Sequence, residues 1–263
     1  MAAIKVLVCG AAGKMGSEVV RAVVKEEGLE LVGAVDTQHA GEDIGVVAGL
    51  GSLGLNIADS LEAAIDAAAP QVMVDFTVPG QAIGNIRTAI GKKVACVIGT
   101  TGFSQDDLDE IARLCAQNET AALIAPNFAI GAVLMMEFAA RAARFFPQAE
   151  IVELHHDKKL DAPSGTALLT ARMMAHTAGC ALQPPAREDS PPRGQLTEGK
   201  VRIHSVRLPG LVAHQEVVFG GTGQTLTVRH DSLNRESFMP GVVLAIRKIV
   251  SMKGLTIGLE QIL

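Results

Sequence analysis

Two imidazoles and two ammoniums share one short run, His155-His156-Asp157-Lys158-Lys159, and Asp161-Ala162-Pro163-Ser164-Gly165-Thr166-Ala167 follows at once. Imidazole exchanges protons near neutral pH, and lysine supplies fixed positive charge. Ser164-Gly165-Thr166 has the make-up of a helix start, whose unpaired N–H groups bind carboxylate oxygens. A proton donor and anion anchors therefore sit together, which is the chemistry of a site for a small dianion. A metal site is the rival, because His155, His156, Asp157 and Asp161 all carry ligand atoms. Adjacent histidines lack the i, i+4 spacing of a helical zinc pair, and two neighbouring lysines repel a cation, so no metal is expected.

The elements that must position this run are legible from hydrophobic period. The first half alternates strand-like and helix-like segments: strands at Ile4–Gly10, Leu29–Val35, Gln71–Phe76, Lys93–Ile98 and Thr120–Ala125, and helices over Gly13–Glu27, Asp59–Ala69, Gln81–Gly91 and Ser104–Gln117. That is the pattern of a doubly wound parallel sheet. Ser104-Gln105-Asp106-Asp107 reads as a capped helix start. After Asn127 the alternation changes: a helix near Ile130–Phe146, a strand Glu150–His155, a helix from Ser164 to about Thr177. Strands follow at Val201–Leu208, His214–Phe219 and Thr225–His230, with Gly220-Gly221-Thr222-Gly223 as a hairpin turn. This clustering predicts a separate α+β domain with an open mixed sheet. Leu182–Gly199, rich in proline and charge, reads as a mobile loop, and an apolar helix near Gly241–Met252 reads as a return to the first domain. The expected fold class is thus α/β, a Rossmann-type sheet plus a second α+β domain. The expected boundaries are residues 1–126 with 238–263 for a dinucleotide-binding domain, and 127–237 for substrate binding and oligomerisation.

Gly10-Ala11-Ala12-Gly13-Lys14-Met15-Gly16 lies where the first strand turns into the first helix. Glycine there lets the backbone approach a pyrophosphate, and the helix start presents N–H groups and the positive end of its dipole. Asp36 ends the next strand, about twenty positions on, where an acid accepts hydrogen bonds from ribose hydroxyls. The hexamer Gly49-Leu50-Gly51-Ser52-Leu53-Gly54 matches the dinucleotide consensus letter for letter. No strand leads directly into it and no helical pattern leaves it, so it reads as a flexible loop. Gly99-Thr100-Thr101 and Ala125-Pro126-Asn127-Phe128 also follow strand ends and should lie along the same crevice, and Asp75-Phe76-Thr77 ends another strand nearby.

Composition excludes several classes. A net charge of -5 and an isoelectric point near 5.8 argue against nucleic-acid binding. No run reaches the roughly eighteen apolar residues of a membrane span, and Met1-Ala2-Ala3 leads straight into a strand without a signal-peptide pattern, so a cytoplasmic protein is expected. The cysteines Cys9, Cys96, Cys115 and Cys180 form no Cys-x-x-Cys pair, against both a disulfide framework and a thiolate metal site. Cys96 and Cys115 fall in regular segments, against a semialdehyde dehydrogenase with a thiol nucleophile. The chain has no tyrosine. That removes short-chain dehydrogenases, which use a Tyr-x-x-x-Lys acid, and leaves histidine or lysine as the proton source of any nicotinamide reductase.

The run from His155 through Ala167 resembles the His-His-x-x-Lys and Asp-Ala-Pro-Ser-Gly-Thr-Ala signature of the dihydrodipicolinate reductase family, with every fixed position filled. The likeness extends to the glycine loop, to Gly99-Thr100-Thr101-Gly102, to Asn127-Phe128, and to the tail around Ser237-Phe238 and Gly241. It implies reduction of 4-hydroxy-tetrahydrodipicolinate to tetrahydrodipicolinate by hydride from NADH or NADPH, in lysine and diaminopimelate biosynthesis. By the same resemblance, His155 and Lys159 are the candidate proton donors, and His156, Ser164, Gly165 and Thr166 hold the dicarboxylate. Gly10, Ala11, Ala12, Gly13, Lys14, Met15, Asp36, Gly99, Thr100, Thr101, Ala125, Pro126, Asn127 and Phe128 hold the cofactor. Lys159 beside a dianion suits an anchor as well as an acid. Family members often carry arginine after the strand-end acid to hold the NADP 2′-phosphate. Thr37 stands there in this chain, so NADH should be used well, with Lys14 a partial substitute toward NADPH. The resemblance also implies a homotetramer built through the second sheet, and closure of two domains around the ligands. The non-enzyme alternative is an NAD(H)-binding redox sensor, which has no need of the His-Lys cluster.

Overall fold

Four-residue strands with no exposed position need helices on both faces, and the first half of the chain supplies them. The computed structural model describes residues 2–178, 182–183 and 193–263. The chain divides into two compact units, Met1–Phe128 with Phe238–Leu263, and Ala129–Ser237.

The first unit holds six parallel strands, β1 (Ile4–Cys9), β2 (Leu29–Val35), β3 (Val72–Asp75), β4 (Ala95–Ile98), β5 (Ala121–Ile124) and β11 (Gly254–Ile257), in the order β2-β1-β3-β4-β5-β11. Helices α1 (Lys14–Lys25), α3 (Leu61–Ala68), α4 (Pro79–Gly91), α5 (Gln105–Asn118) and α8 (Met239–Ile249) cover them. Leu7, Met73, Cys96, Ile98, Ile86, Ile90 and Ile111 fill one side of the sheet with no exposed surface among them. Each such side chain contributes roughly 1.5–3 kcal/mol by leaving water. Because β2 and β3 flank β1 on opposite sides, the strand order reverses at the carboxyl end of β1, the place where such sheets bind ligands. The register Cys9–Asp75–Ile98–Ile124 brings the turns after β1, β3, β4 and β5 to one edge.

The second unit is a five-stranded mixed sheet of β6 (Gln148–His155), β7 (Gln195–Leu196), β8 (Arg202–Arg207), β9 (Ala213–Gly221) and β10 (Gln224–Ser232), in the order β10-β9-β6-β8-β7. Among the described residues, only β6 and β8 run parallel. Helices α6 (Ile130–Ala142) and α7 (Gly165–Ala178) pack on one face, where Ile151, Met174, Ile203, Val217 and Phe219 form the core. The expected hairpin turn is present at Thr222-Gly223, with Gly223 at φ 72°.

The structure adds to the sequence reading at three places. The Gly49–Gly54 hexamer is a loop, as expected, and its far end is held down: the Asp43 carboxylate accepts the N–H groups of Gly45, Val46, Leu53 and Gly54 and the Ser52 hydroxyl, and caps the short α2 (Ile44–Val47). Strand β11 was not foreseen, because four residues after a helix give too short a periodic signal. The segment Leu182–Gly199 carries β7; its residues 184–192, like Cys180, lie outside the described residues. Helix α4 begins at Pro79, ahead of the expected Gln81, since proline is at home in a first helical turn. The capping box at Ser104 and Asp107 is complete.

Candidate active site

In the first unit, the chain leaves β1 through Gly10, whose φ of 72° favours glycine and whose added Cβ would lie 2.9 Å from the Phe76 carbonyl oxygen. Gly16 permits the helix to sit on this turn, since a Cβ there would fall 1.9 Å from the Gly10 oxygen. Gly13 caps α1 without a side-chain bond, leaving the first-turn N–H groups of Lys14, Met15 and Gly16 at the positive end of the helix dipole. A cradle that only glycine fits, ending in an uncapped helix, matches a pyrophosphate.

Asp36 follows β2 and is drawn onto the same loop. Its Oδ2 accepts the Ala12 N–H at 3.0 Å and its Oδ1 the Gln38 N–H at 2.9 Å. A carboxylate has about four acceptor positions, so capacity for ribose hydroxyls remains. Thr37 and Lys14 are both exposed.

The strand end Asp75-Phe76-Thr77, expected near the crevice but given no role there, organises the rest of this edge. Asp75, at the end of β3, has no exposed surface. It accepts from the Thr77 N–H (2.9 Å) and hydroxyl (2.7 Å), from the Asn85 amide (2.7 Å) and from the Thr100 hydroxyl (3.2 Å). Asp75 thereby locks the turn after β3 to the turn after β4. Gly99 makes room for the Phe76 ring, which a Cβ would penetrate at 2.1 Å, and Phe76 stacks obliquely on buried Phe128 at 5.7 Å. Ala125 is buried, Asn127 is half-buried, and Pro126 and Thr101 are exposed. The structure thus gathers Gly10 through Met15, Asp36, Gly99 through Thr101 and Ala125 through Phe128 at one edge of one sheet.

In the second unit, β6 ends at His155, so His156 is freed from strand alternation, as sharing a site with His155 requires. The row of β6 facing the helices runs Ala149, Ile151, Glu153, His155, and changes from apolar to charged within one strand. Glu153 has no exposed side-chain surface. Its Oε2 meets His155 Nδ1 at 2.5 Å, and both its oxygens accept from Arg207 at 2.8 Å in a bidentate pair. Ser164 N–H donates to Oε1 at 3.2 Å. Arg207 closes β8 directly beside His155 and also donates to the Asp161 carbonyl at 2.6 Å, tethering the signature loop.

Ser164 caps α7, with its Oγ accepting the Ala167 N–H at 3.2 Å. Its N–H is therefore engaged and its Oγ accepts one bond, while the hydroxyl keeps its own hydrogen to donate, and Gly165 is exposed with open space where a Cβ would stand. Lys159 pairs with Asp161 at 2.8 Å, their side chains 23% and 58% exposed, which lowers the Asp161 carboxyl below its ordinary range. Glu153 and Arg207 escaped sequence reasoning. A glutamate two residues before the histidine on an otherwise apolar strand face was the available signal.

Among the described residues, no group of three or more His, Cys, Asp or Glu is placed to hold a metal, and no helix is long and apolar enough to cross a membrane. Burial pushes the Cys9 and Cys96 thiols well up and Cys115 to about 11, which leaves them poor nucleophiles.

Comparison with known proteins assigns both units. Residues 4–128 match the family model described as dihydrodipicolinate reductase, N-terminus, and residues 131–263 match its C-terminus. The chain is 52% identical over 265 residues to the 4-hydroxy-tetrahydrodipicolinate reductase of Moorella thermoacetica, covering 100% of this chain and 99% of the relative. It is 50% identical over 264 residues to the one from Dehalococcoides mccartyi, with the same coverage. Among solved structures, dipicolinate-bound dihydrodipicolinate reductase from Paenisporosarcina sp. TG-14 superposes with a TM-score of 0.87 at 43% identity, covering 99% of this chain and 100% of that one. An amine dehydrogenase from Mycobacterium smegmatis, 14% identical with a TM-score of 0.70 over 96% of this chain and 94% of that one, shares the fold alone.

Burial by itself would raise the Glu153 carboxyl, but hydrogen bonds from His155, Arg207 and Ser205 outweigh it and bring it down to about 2. In the unfolded chain this carboxyl protonates near 4.5. Its contribution, roughly 3 kcal/mol, is therefore complete above that value and is lost as pH falls toward 2. Denaturant unfolding at pH 7, 4 and 3 should show wild-type stability dropping more steeply than that of Glu153→Gln; parallel declines would refute the assignment.

Proposed function

The chain belongs to the dihydrodipicolinate reductase family, and we propose that it works as its relatives are named, as an NAD(P)H-dependent 4-hydroxy-tetrahydrodipicolinate reductase of lysine and diaminopimelate biosynthesis. The observation that carries the reading is a strand-end imidazole backed by a buried carboxylate, beside a lysine and the start of a helix. A redox sensor has no use for that arrangement.

The first unit holds the nucleotide. N–H groups of the Gly10–Met15 turn receive the pyrophosphate, Asp36 receives ribose hydroxyls, and the Gly99–Thr101 and Ala125–Phe128 turns flank the nicotinamide. The bound dihydronicotinamide supplies the hydride. Fit to the group rests on the glycine-only cradle and the uncapped α1. With exposed Thr37 after the acid, the position that would carry a guanidinium for a 2′-phosphate holds none, and Lys14 is the cation within the glycine turn itself. NADH is used well on this reading, and NADPH use is not excluded by any opposing charge at Thr37.

The second unit holds the dicarboxylate. Gly165 and Thr166 present N–H groups at the start of α7, with Ser164 shaping that turn, and His156 and Lys159 add polar and cationic contacts. His155 delivers the proton that balances hydride addition, with Lys159 as the alternative donor or an anchor, and the 4-hydroxyl group of the substrate leaves as water, so that substrate, hydride and one proton give tetrahydrodipicolinate and water. Transfer is helped where water is excluded from the reacting groups. The protein works in the cytoplasm, as a homotetramer assembled through the second sheet, whose β10 forms an edge that self-association would cover.

Following oxidation of NADH and, separately, NADPH with the product of dihydrodipicolinate synthase tests reaction, substrate and cofactor together. Turnover with either nucleotide is expected, and none with both would overturn the reading. His155→Gln should lower kcat by about a hundredfold or more while leaving the NADH dissociation constant within about twofold. Asp36→Ala should do the reverse, weakening NADH with little change in kcat at saturation; matched losses in both variants would reassign them as structural. Light scattering should return four chain masses per particle, and a monomer would remove the tetramer.

A further inference from the structure

Glu153 cannot touch a ligand, because its side chain has no exposed surface. Any part it plays in the reaction must act through a neighbour. We propose that Glu153, clamped by Arg207, is a positioning residue that fixes the His155 tautomer, so that the proton delivered to substrate leaves from Nε2. The role rests on the reaction assigned above.

The geometry leads there in steps. Glu153 and His155 are two apart on β6 and so share a face, and the contact from Nδ1 to Oε2 is 2.5 Å. An ionised carboxylate only accepts, so Nδ1 must carry hydrogen. Nε2 is then the nitrogen left for a ligand. When the ring holds two protons, Glu153 lies directly against the positive charge. When Nε2 gives its proton to the reduced substrate, Nδ1–H remains bonded as before, and the ring returns to charge by taking one proton from water at Nε2. Glu153 stays ionised throughout, as a clamp by a permanent cation requires.

Arg207 makes the clamp specific. It occupies both carboxylate oxygens, which prevents rotation of Glu153 away from the ring, and its second contact to the Asp161 carbonyl holds the loop that leads into Ser164. One guanidinium therefore sets the imidazole and the start of α7 in a common frame. The competing interpretation is that the pair merely staples β6 to β8.

A double-mutant cycle separates the two. Turnover of 4-hydroxy-tetrahydrodipicolinate with NADH is measured for wild type, Glu153→Gln, His155→Gln and the double variant. Positioning predicts that Glu153→Gln lowers kcat about 10–100-fold in the wild-type background with KM within about threefold. In the His155→Gln background it should cost less than about threefold, because the residue through which it acts is gone. Equal losses in both backgrounds, or a KM that rises in step, would make the pair structural and overturn the proposal. Nitrogen-15 NMR of the imidazoles gives a readout independent of turnover: His155 should be a single Nδ1–H tautomer when neutral in wild type and a mixture in Glu153→Gln, and an unchanged tautomer would equally overturn it. Should Glu153→Gln not fold, Arg207→Lys keeps the charge but not the bidentate clamp, and must show the same split between kcat and KM. Wild-type protein without turnover would defeat the reaction assignment instead, leaving the tautomer spectrum to decide the role of Glu153.

Discussion

A carboxylate withdrawn from water is tolerated only when donors saturate it, and this chain uses that requirement to assemble loops that have no regular structure of their own. Glu153 draws His155, Arg207 and the Ser164 N–H to one point. Those groups come from β6, from β8 and from the turn into α7, and Arg207 is 54 residues from Glu153 along the chain. Asp75 performs the same task in the other unit, gathering Thr77, Asn85 and Thr100. In both places the acid stands at or near the carboxyl end of a strand, where the backbone ladder stops supplying order. Removing either would leave several buried donors without an acceptor, so each loop conformation is over-determined.

That dependence explains what could be read in the chain and what could not. Local signals carried the expected helices and strands, because apolar period is a property of neighbouring residues. The glycine turn and Asp36 were legible for the same reason: strand, turn, helix and acid follow one another in order. The His155–Ala167 run was legible as chemistry because its residue types are contiguous. Glu153 lies two residues ahead of that run, yet its partner Arg207 is 54 residues away, and only the parallel register of β6 with β8 makes them neighbours. The Gly49–Gly54 hexamer, a loop as its context indicated, hides a partner in the same way. Its far end is held by Asp43, whose bonds to Leu53 and Gly54 span ten and eleven residues.

Carboxylates also sort the cations around the candidate dicarboxylate site by availability. Arg207 and Lys159 both pair with an acid, but the two pairs differ in surroundings. Arg207 is held bidentately by a carboxylate with no exposed surface, and breaking a pair of that kind leaves a buried charge uncompensated, at a cost of roughly 3–5 kcal/mol. A ligand cannot recruit it. Lys159 instead meets a half-exposed Asp161, and such solvent-facing pairs contribute about 0–1 kcal/mol. Exchanging such a pair for another acidic partner costs little. Buried pairing thus keeps the guanidinium as scaffold, while loose pairing leaves the ammonium free to change partners, in a segment whose residue types alone had suggested only that positive charge was plentiful.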